Sequence, residues 1–566
     1  MKKIYMLLIT VIFVASCSLD EVAYKTDEAH VKDAQTSESL LLGIYERLGS
    51  DGIYRNNLPF VFGLATDETK MAGSGLSSND SVNSSNAFNT SSSHVQLTWQ
   101  VLYSAVYYAN YFIDLMAEKI PTFTSKDQEK CEYYLAEAKA LRALLYFELV
   151  RWYGNVPLVL SPDESYRKPE EFVQADPVRV YEQIEKDLKE AIEVLPYAQE
   201  DKVRNDNSFR ISKGGALGLL TKVYATWAGY PLKDETKWEC AAAVADSLIS
   251  SGQHGLLDDF AQLWKNSGSN KWDPEESLLE LSYWSPLTTE ASCGRVGVVN
   301  GVLAESGGLT GGKHSRTVKS KIHPTFLMNW KDYDKDLRFG LTYADYRYAA
   351  SGKRGITRKK IDGVETDITF LMSWLGHETH PDSWNATWRF GACYDLTNRK
   401  WDTEIYVPAE NNQVNSNYSN VNWYLLRYAD VLLLYAEALN EVNNGPTAEA
   451  YEAINMVRRR GFGHDVATTS AEADLEAGLS YEEFREAIIN ERSWELAGEG
   501  HRRTDLVRWG IYYEKIKETY DSLADWYDRA QDYFIAGEYT TKNKHELLPI
   551  PQREVDLCGY KQNPGW

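Results

Sequence analysis

The chain is poor in sulfur, and it lacks the signatures of most soluble enzymes. Its 566 residues include six cysteines, at positions 17, 131, 240, 293, 393 and 558, and no two of them form a C-x-x-C pair. That spacing excludes a disulfide framework and a structural zinc site, and leaves the later cysteines the role of small buried hydrophobes. Cationic residues are outnumbered, 60 Lys and Arg against 82 Asp and Glu, for a formal net charge of -22. Nucleic acid is therefore not an expected partner, because phosphate neutralisation needs clustered Lys and Arg. After the N-terminus no uncharged apolar run reaches the roughly 18 residues that a spanning helix needs. There is no Walker A loop, no G-x-S-x-G elbow, no H-E-x-x-H and no calcium-loop pattern, and no cofactor is implied. His377 and His380 flank Glu378, but no further His or Cys stands at ligand spacing, so a solvated loop and not a metal site is expected there.

What is present in excess is aromatic. Hydrophobic residues make up 43% of the chain and aromatics 13%, with 37 Tyr and 17 Trp. This is enough for a large core, and these amphipathic rings also suit wet binding surfaces. The N-terminus, MKKIYMLLITVIFVASC, joins a basic pair (Lys2, Lys3) to an apolar stretch, Ile4 to Val14, that is too short to cross a membrane. Small residues then precede Cys17, which fits a bacterial lipoprotein signal: residues 1–16 removed and Cys17 lipidated. Loss of Lys2 and Lys3 would take the charge from -22 to -24. The acids of Ser18-Leu19-Asp20-Glu21 resemble the surface-export tag of Bacteroidetes lipoproteins.

Periodicity divides the rest. A tether over residues 17–33 leads into a helical part, 34–252. Helices are predicted over Ala34–Gly49, Trp99–Lys119, Gln128–Tyr153, Pro177–Leu195, Ser212–Ala228 and Thr236–Ser251, and residues 73–94 read as a Ser/Asn/Gly-rich loop around a lone Phe88. Gly154 and Pro157 close the helix that ends at Tyr153. In residues 253–422 helical periodicity fades and Gly, Pro, Asn, Thr and Trp dominate. LLELSYW (278–284) and TEIYVP (403–408) read as short strands, and His323–Asp334 as a short helix. Residues 423–566 are helical again, with an apolar stripe at Leu425, Ala429, Leu432, Ala436 and Leu439 and a helix over Pro446–Arg460. Short turns between Leu- and Ala-rich helices are the pattern of helix-pair repeats, although no strict period survives.

The stretch Phe484 to Trp509, FREAIINERSWELAGEGHRRTDLVRW, combines an apolar helical face with Glu491, Arg492, Glu495, Glu499, Arg502, Arg503, Asp505 and Arg508. Half-buried charges persist only when paired, so this is either a salt-bridge lattice or a site. As a site, Glu491 and Glu495 form an i,i+4 carboxylate pair suited to acid/base chemistry. Glycosidase pairs, however, face each other across a substrate, and the neighbouring arginines lower carboxyl pKa values where an acid catalyst needs one raised.

Several segments, in order, carry a resemblance. They are the lipoprotein signal at Cys17, WQVLYSAVYYANYFID from Trp99, EAKALRALLYFELVRWYGNVPLV from Glu137, RISKGGALGLLTKVYA from Arg210 and Asp336-Leu337-Arg338. YLLRYADVLLLYAEALNE, AINMVRRRGF, NERSWELAGEGHRRTDLVRWG, LLPIPQREV and the closing NPGW complete the set. Together they resemble the RagB/SusD family of Bacteroidetes surface lipoproteins, with residues 253–422 aligning least. The resemblance implies a mainly α fold, a tetratricopeptide-like helix-pair scaffold (a SusD-like α-α superhelix) with an irregular inserted subdomain containing short strands. It implies a non-catalytic protein, held on the outer membrane through its lipid and facing the extracellular surface. Such a protein captures an oligosaccharide and passes it to a SusC-like TonB-dependent transporter. In that setting the charged stretch is a scaffold signature. A peptide or glycopeptide ligand on the same scaffold, or a surface glycoside hydrolase, are the alternatives.

Sugar binding in water needs flat aromatic faces and planar amides or carboxylates. The middle region offers Tyr283 and Trp284 at the end of a strand, and Trp374, Asp382, Trp384, Asn385 and Trp388 in WLGHETHPDSWNATWRF. The same rings also suit the core of an irregular subdomain. The family brings further ligand contacts from the N-terminal loop, which makes Asn79, Asp80 and Phe88 candidates there. Trp330, close before Asp336 and Arg338, reads as structural.

Overall fold

The structure, a computed structural model, describes residues 30–72, 75–204, 209–284, 294–302, 318–348, 354–355, 358–361, 364–367, 396–408, 419–526 and 533–566. The chain is mainly helical. The N-terminal helices are α1 (Ala34–Leu48), α2 (Asn79–Ser84), α3 (Ser93–Lys119), α4 (Ser125–Tyr153), α5 (Pro177–Val194), α6 (Lys213–Ala228), α7 (Lys237–Ser250) and α8 (Phe260–Gly268). Short helices α9 (Pro324–Met328), α10 (Leu337–Thr342) and α11 (Thr403–Tyr406) follow, and the C-terminal set is α12 (Tyr428–Asn443), α13 (Ala448–Gly461), α14 (Tyr481–Leu496), α15 (Arg502–Arg508), α16 (Tyr512–Trp526) and α17 (Gln552–Cys558).

Consecutive helices pack as pairs: α3 on α4, α4 on α5, α6 on α7, and α12 on α13, with α7 also against α12. Helix α4 is the central one. Thr124 caps its start by accepting from the Asp127 N–H, Gly154 in a positive-φ conformation ends it, and from Ala136 to Tyr153 nearly every side chain is buried. A helix buried on nearly every side has no solvent face, so it must be enclosed by others and its charges must be paired, as Arg142 is with Asp187 at 2.8 Å. Helix α6 uses small residues for close approach. A Cβ on Gly215 would stand 2.5 Å from the Leu278 carbonyl oxygen, and one on Gly218 2.7 Å from Leu426 Cδ2. This lets α6 lie directly on the antiparallel pair β2 (Ser277–Leu281) and β4 (Trp423–Arg427). A second pair, β1 (Thr69–Met71) with β3 (Ser320–Ile322), ties the N-terminal part to the insert.

Three expectations are corrected. TEIYVP does not form a strand: Asp402 caps it, accepting from the Glu404 N–H at 3.0 Å, and residues 403–406 wind into α11 with Tyr406 buried against α8. The polar stretch 73–94 is not simply a loop, because Ser78 and Ser81 form a reciprocal capping box that starts α2. The helix read over His323–Asp334 stops at Met328, where Asn329 caps it.

Glu280 lies on β2 opposite Tyr424 and is fully buried, its carboxylate receiving the Ser277 hydroxyl at 2.9 Å. Burial pushes this carboxyl up to about 8, against the lowering by Ser277 and Asn422. A carboxyl raised in the folded state holds its proton there longer than in the unfolded chain, so wild-type stability falls as pH rises from the ordinary range through about 8. Glu280→Gln, which has no proton to lose, is expected to melt higher than wild type at pH 9, with the gap shrinking at pH 5. Thermal melts at the two pH values check this.

Candidate functional site

In α14, Phe484, Ile488 and Leu496 turn inward, and so do Glu491, Arg492 and Glu495. Glu495 Oε1 accepts from Arg427 at 2.9 Å and Arg460 at 2.6 Å, and its Oε2 from Arg338 at 3.0 Å. Glu491 is held by Arg338 at 2.6 Å and Arg458 at 3.0 Å. Glu499 receives both Arg427 and Lys400, at 2.8 and 2.9 Å. Arg492 bridges Asp430 and Asp505, each at 2.8 Å. Burial alone would raise the Glu495 carboxyl, but Arg460, Arg427 and Arg338 outweigh it and hold it well below the usual range. Asp505 is likewise held at about 2, where Arg492 and Arg508 overcome burial. Buried carboxylates saturated by guanidinium groups have no free oxygen to offer a substrate. The cluster is a lattice, and through Arg338 and Lys400 it bolts the insert to the C-terminal helices.

A surface with binding character begins where β2 ends. Beyond the end of β2 the two rings after Ser282 part company. Tyr283 turns in: its ring packs between Gly49 and Gly294, where a Cβ on Gly294 would stand 2.6 Å from the ring. Trp284 turns out and is 43% exposed, the only tryptophan among the exposed large hydrophobics of the described residues. Its backbone is fixed from both sides. The Tyr283 N–H donates to Asn422 Oδ1 at 3.0 Å and the Trp284 N–H to Ser282 Oγ at 3.3 Å, while Ser282 Oγ and Asn422 Nδ2 both bond Asn270 Oδ1, at 2.8 and 3.0 Å. An indole on a rigid mount needs little ordering when it receives a flat ligand.

The segment 49–57, whose Gly49 packs against the Tyr283 ring, meets several charged side chains. Arg295 pairs with the partly exposed Asp51 at 2.9 Å, and Arg55 also faces Asp51. Further along, Lys319 donates to Asn56 Oδ1 at 3.3 Å and pairs with Asp80. His94 lies between Asp80, at 3.0 Å from Nε2, and Asn57, at 3.0 Å from Nδ1. Hydrogen bonds from His94 and Lys319 hold the Asp80 carboxyl far below its ordinary value, so it is ionised throughout the accessible pH range. The described residues therefore include an exposed indole at Trp284 and charged pairs along the segment 49–57.

Residues 250–566 match the sequence model of the SusD family. The chain belongs to the SusD family. Residues 12–225 match a second model, described as starch-binding and associating with the outer membrane. A SusD homologue from Bacteroides thetaiotaomicron of known structure is 43% identical, with a TM-score of 0.87 over 96% of this chain and 98% of the other. A laminarin-binding SusD-like protein of known structure is 25% identical, with a TM-score of 0.63 over 94% of this chain and all of the other. SusD-like protein P25 of Formosa agariphila is 24% identical over 476 residues, 81% of this chain and 76% of its own length.

Within this SusD-family chain the candidate residues fall in different places. Asn79 is exposed and Asp80 half-buried at the start of α2. Trp284 is open, but two expected ligand contacts are corrected by burial. Phe88 is 7% exposed and packs among Phe62, His545 and Trp566, and Tyr283 is 2% exposed, so neither offers a ring face to a sugar. The lone Phe in a polar stretch is the anchor that holds that stretch down. Trp330 stacks on Trp494 with centroids 5.9 Å apart, a structural position as expected. Trp374, Asp382, Trp384, Asn385, Trp388 and Cys17 lie outside the described residues. Asp51, His94, Arg295 and Lys319 were not singled out from sequence, because each gains its meaning only from a partner distant in the chain or on another element.

The packing around Tyr283 makes a direct prediction. Its hydroxyl is buried without a hydrogen-bond partner among the described residues, so Tyr283→Phe is expected to leave stability unchanged or raise it by up to about 1 kcal/mol. Gly294→Ala, which drives a methyl into the ring, is expected to cost about 1–3 kcal/mol. Urea unfolding of both variants checks the pair.

Proposed function

We propose that this protein is a non-catalytic surface glycan-binding lipoprotein, lipidated at Cys17 and lying on the outer membrane, that hands its ligand to a SusC-like TonB-dependent transporter. The observation that carries the binding part is Trp284, an exposed indole three residues beyond the end of β2. Stacking on such a ring is one of the two contacts that a pyranose needs, and hydrogen bonds from planar amides or carboxylates are the other. The laminarin-binding relative supports a β-glucan as the first ligand to test. The non-catalytic part rests on Glu491 and Glu495, the i,i+4 carboxylates read from sequence, which are buried and saturated by arginines. Trp374, Asp382, Trp384, Asn385 and Trp388 remain part of the proposal as further ligand contacts.

Isothermal titration against a panel of polysaccharides and oligosaccharides, laminarin included, tests the binding. Saturable binding of at least one glycan is expected, and no heat with any glycan but competition by oligopeptides would move the ligand to the peptide class. A lipid-anchored binder has no route through the membrane of its own, so delivery predicts co-purification with a TonB-dependent barrel in mild detergent. Recovery of the lipoprotein alone in mild detergent would count against that step.

A further inference from the structure

The mount of Trp284 contains a polar group that the described residues leave without a partner. Hydrogen bonding orients it step by step, starting from the backbone of Tyr283. That N–H donates to Asn422 Oδ1 at 3.0 Å, which fixes the carbonyl side of the Asn422 amide and leaves its Nδ2 to donate. Nδ2 does so to Asn270 Oδ1 at 3.0 Å, and the Ser282 hydroxyl donates to the same oxygen at 2.8 Å. Two donors on one oxygen settle which end of the Asn270 amide is which, because a flipped amide would set its N–H groups against those of Asn422. Asn270 Nδ2 is therefore on the far side of the amide from this network, and no described residue accepts from it. Asn270 is half-buried with its Nδ2 open to solvent, and its partner Ser282 is exposed.

The backbone at this position is also particular. Asn270 lies just past the end of α8 with φ of 52°, in the left-handed region where glycine is the default residue. Asparagine tolerates that conformation, and it brings an amide where glycine would bring nothing. Ser282 links this amide to the exposed ring: its Oγ accepts from the Trp284 N–H at 3.3 Å and donates to Asn270, so two hydrogen bonds join the Trp284 backbone to the amide. An oligosaccharide that stacks on the indole and extends over Ser282 meets a pair of N–H donors already held in orientation, at little further cost in ordering. We infer that Asn270 is the polar contact of the Trp284 site, donating from Nδ2 to an oxygen of the bound saccharide, an inference that rests on the glycan reading above. This end of the amide cannot accept, so the ligand atom is a ring, glycosidic or carbonyl oxygen, or a hydroxyl turned to accept.

Isothermal titration of the full chain with the best-binding glycan of the panel tests it. Asn270→Asp keeps the shape, the tolerance of a positive φ and an oxygen for Ser282 and Asn422, and replaces the outward donor with an acceptor. It is expected to weaken binding about five- to tenfold, with the melting temperature within error of wild type. Asn270→Gly, which suits the same backbone and removes the amide, is expected to lose at least as much. Ser282→Ala loosens the mount but leaves the amide held by Asn422, and is expected to weaken binding less than Asn270→Asp. Wild-type affinity in a folded Asn270→Asp protein would overturn the inference and leave the glycan reading standing. So would a loss in Ser282→Ala as large as that in Asn270→Asp, which would make Asn270 a support of the ring alone. No heat from wild type with any glycan is a different failure, which removes the glycan reading and this inference with it.

Discussion

Trp284→Ala is expected to weaken saccharide binding by at least about tenfold while leaving the melting temperature within error of wild type, since a stacked ring contributes on the order of 1 kcal/mol or more. The two halves of this expectation come from the same geometry. The ring is 43% exposed, so little core is lost when it goes. Its mount stays, because the bonds that fix it run through the backbone of Tyr283 and Trp284 and through Ser282, Asn270 and Asn422. Trp284→Phe should recover part of the affinity, as a smaller ring still offers a face. Titration with the best glycan from the panel, alongside thermal melts, reads both halves. Wild-type affinity in a folded Trp284→Ala protein would remove this surface from the account.

The largest effect on stability is expected at Glu495. Its carboxylate receives Arg338, Arg427 and Arg460, all fully buried. Breaking a buried ion pair by removing one partner typically costs about 3–5 kcal/mol, because the remaining charge is left without compensation. Glu495→Ala takes a carboxylate from three buried guanidinium groups at once, although Arg338 keeps Asp336 and Glu491, Arg427 keeps Glu276 and Glu499, and Arg460 keeps Glu276, so its cost should lie within that range, with reduced yield of folded protein. Glu495→Gln keeps the shape and one acceptor oxygen and should cost less. Exposed pairs give the contrast. Lys515 and Glu518 also form a salt bridge, but Glu518 is well exposed and Lys515 partly so, and Lys515→Ala is expected to change stability by less than about 1 kcal/mol. Urea unfolding curves of the three variants check the order, and a Glu495→Ala protein as stable as wild type would contradict the lattice.

The helices were legible because burial writes a period into them. The stripe through Ala429, Leu432 and Ala436 is a face with no exposed position. The charged stretch was legible in kind: its arginines and glutamates had to pair. Their actual partners were not, since Arg427 reaches Glu276 and Arg338 reaches Glu491 across 151 and 153 residues. The misread strand at 403–406 had its signal one residue earlier, in the capping side chain of Asp402, which β-branched neighbours obscured. At the candidate surface, the strand itself is buried at every position and ends at Leu281, so alternation along it does not settle how Tyr283 and Trp284 face. Which ring turns in depends on the pairing of β2 with β4 and on two glycines, Gly49 and Gly294, that only the fold brings to Tyr283. Phe88 is a ligand candidate only through the family's use of the N-terminal loop, but a single ring in a polar stretch is also what anchors it, and here it does so against Phe62 and Trp566.

The central claim is that the charged cluster is scaffold and that recognition lies at the exposed indole. Titration of one glycan into Glu495→Gln and Trp284→Ala, both at a temperature where each is folded, separates the two roles. The expected result is a less stable Glu495→Gln protein that binds as wild type and a fully stable Trp284→Ala protein that does not. A folded Glu495→Gln protein that has lost binding, beside a Trp284→Ala protein that keeps it, would place the site in the cluster and contradict the account.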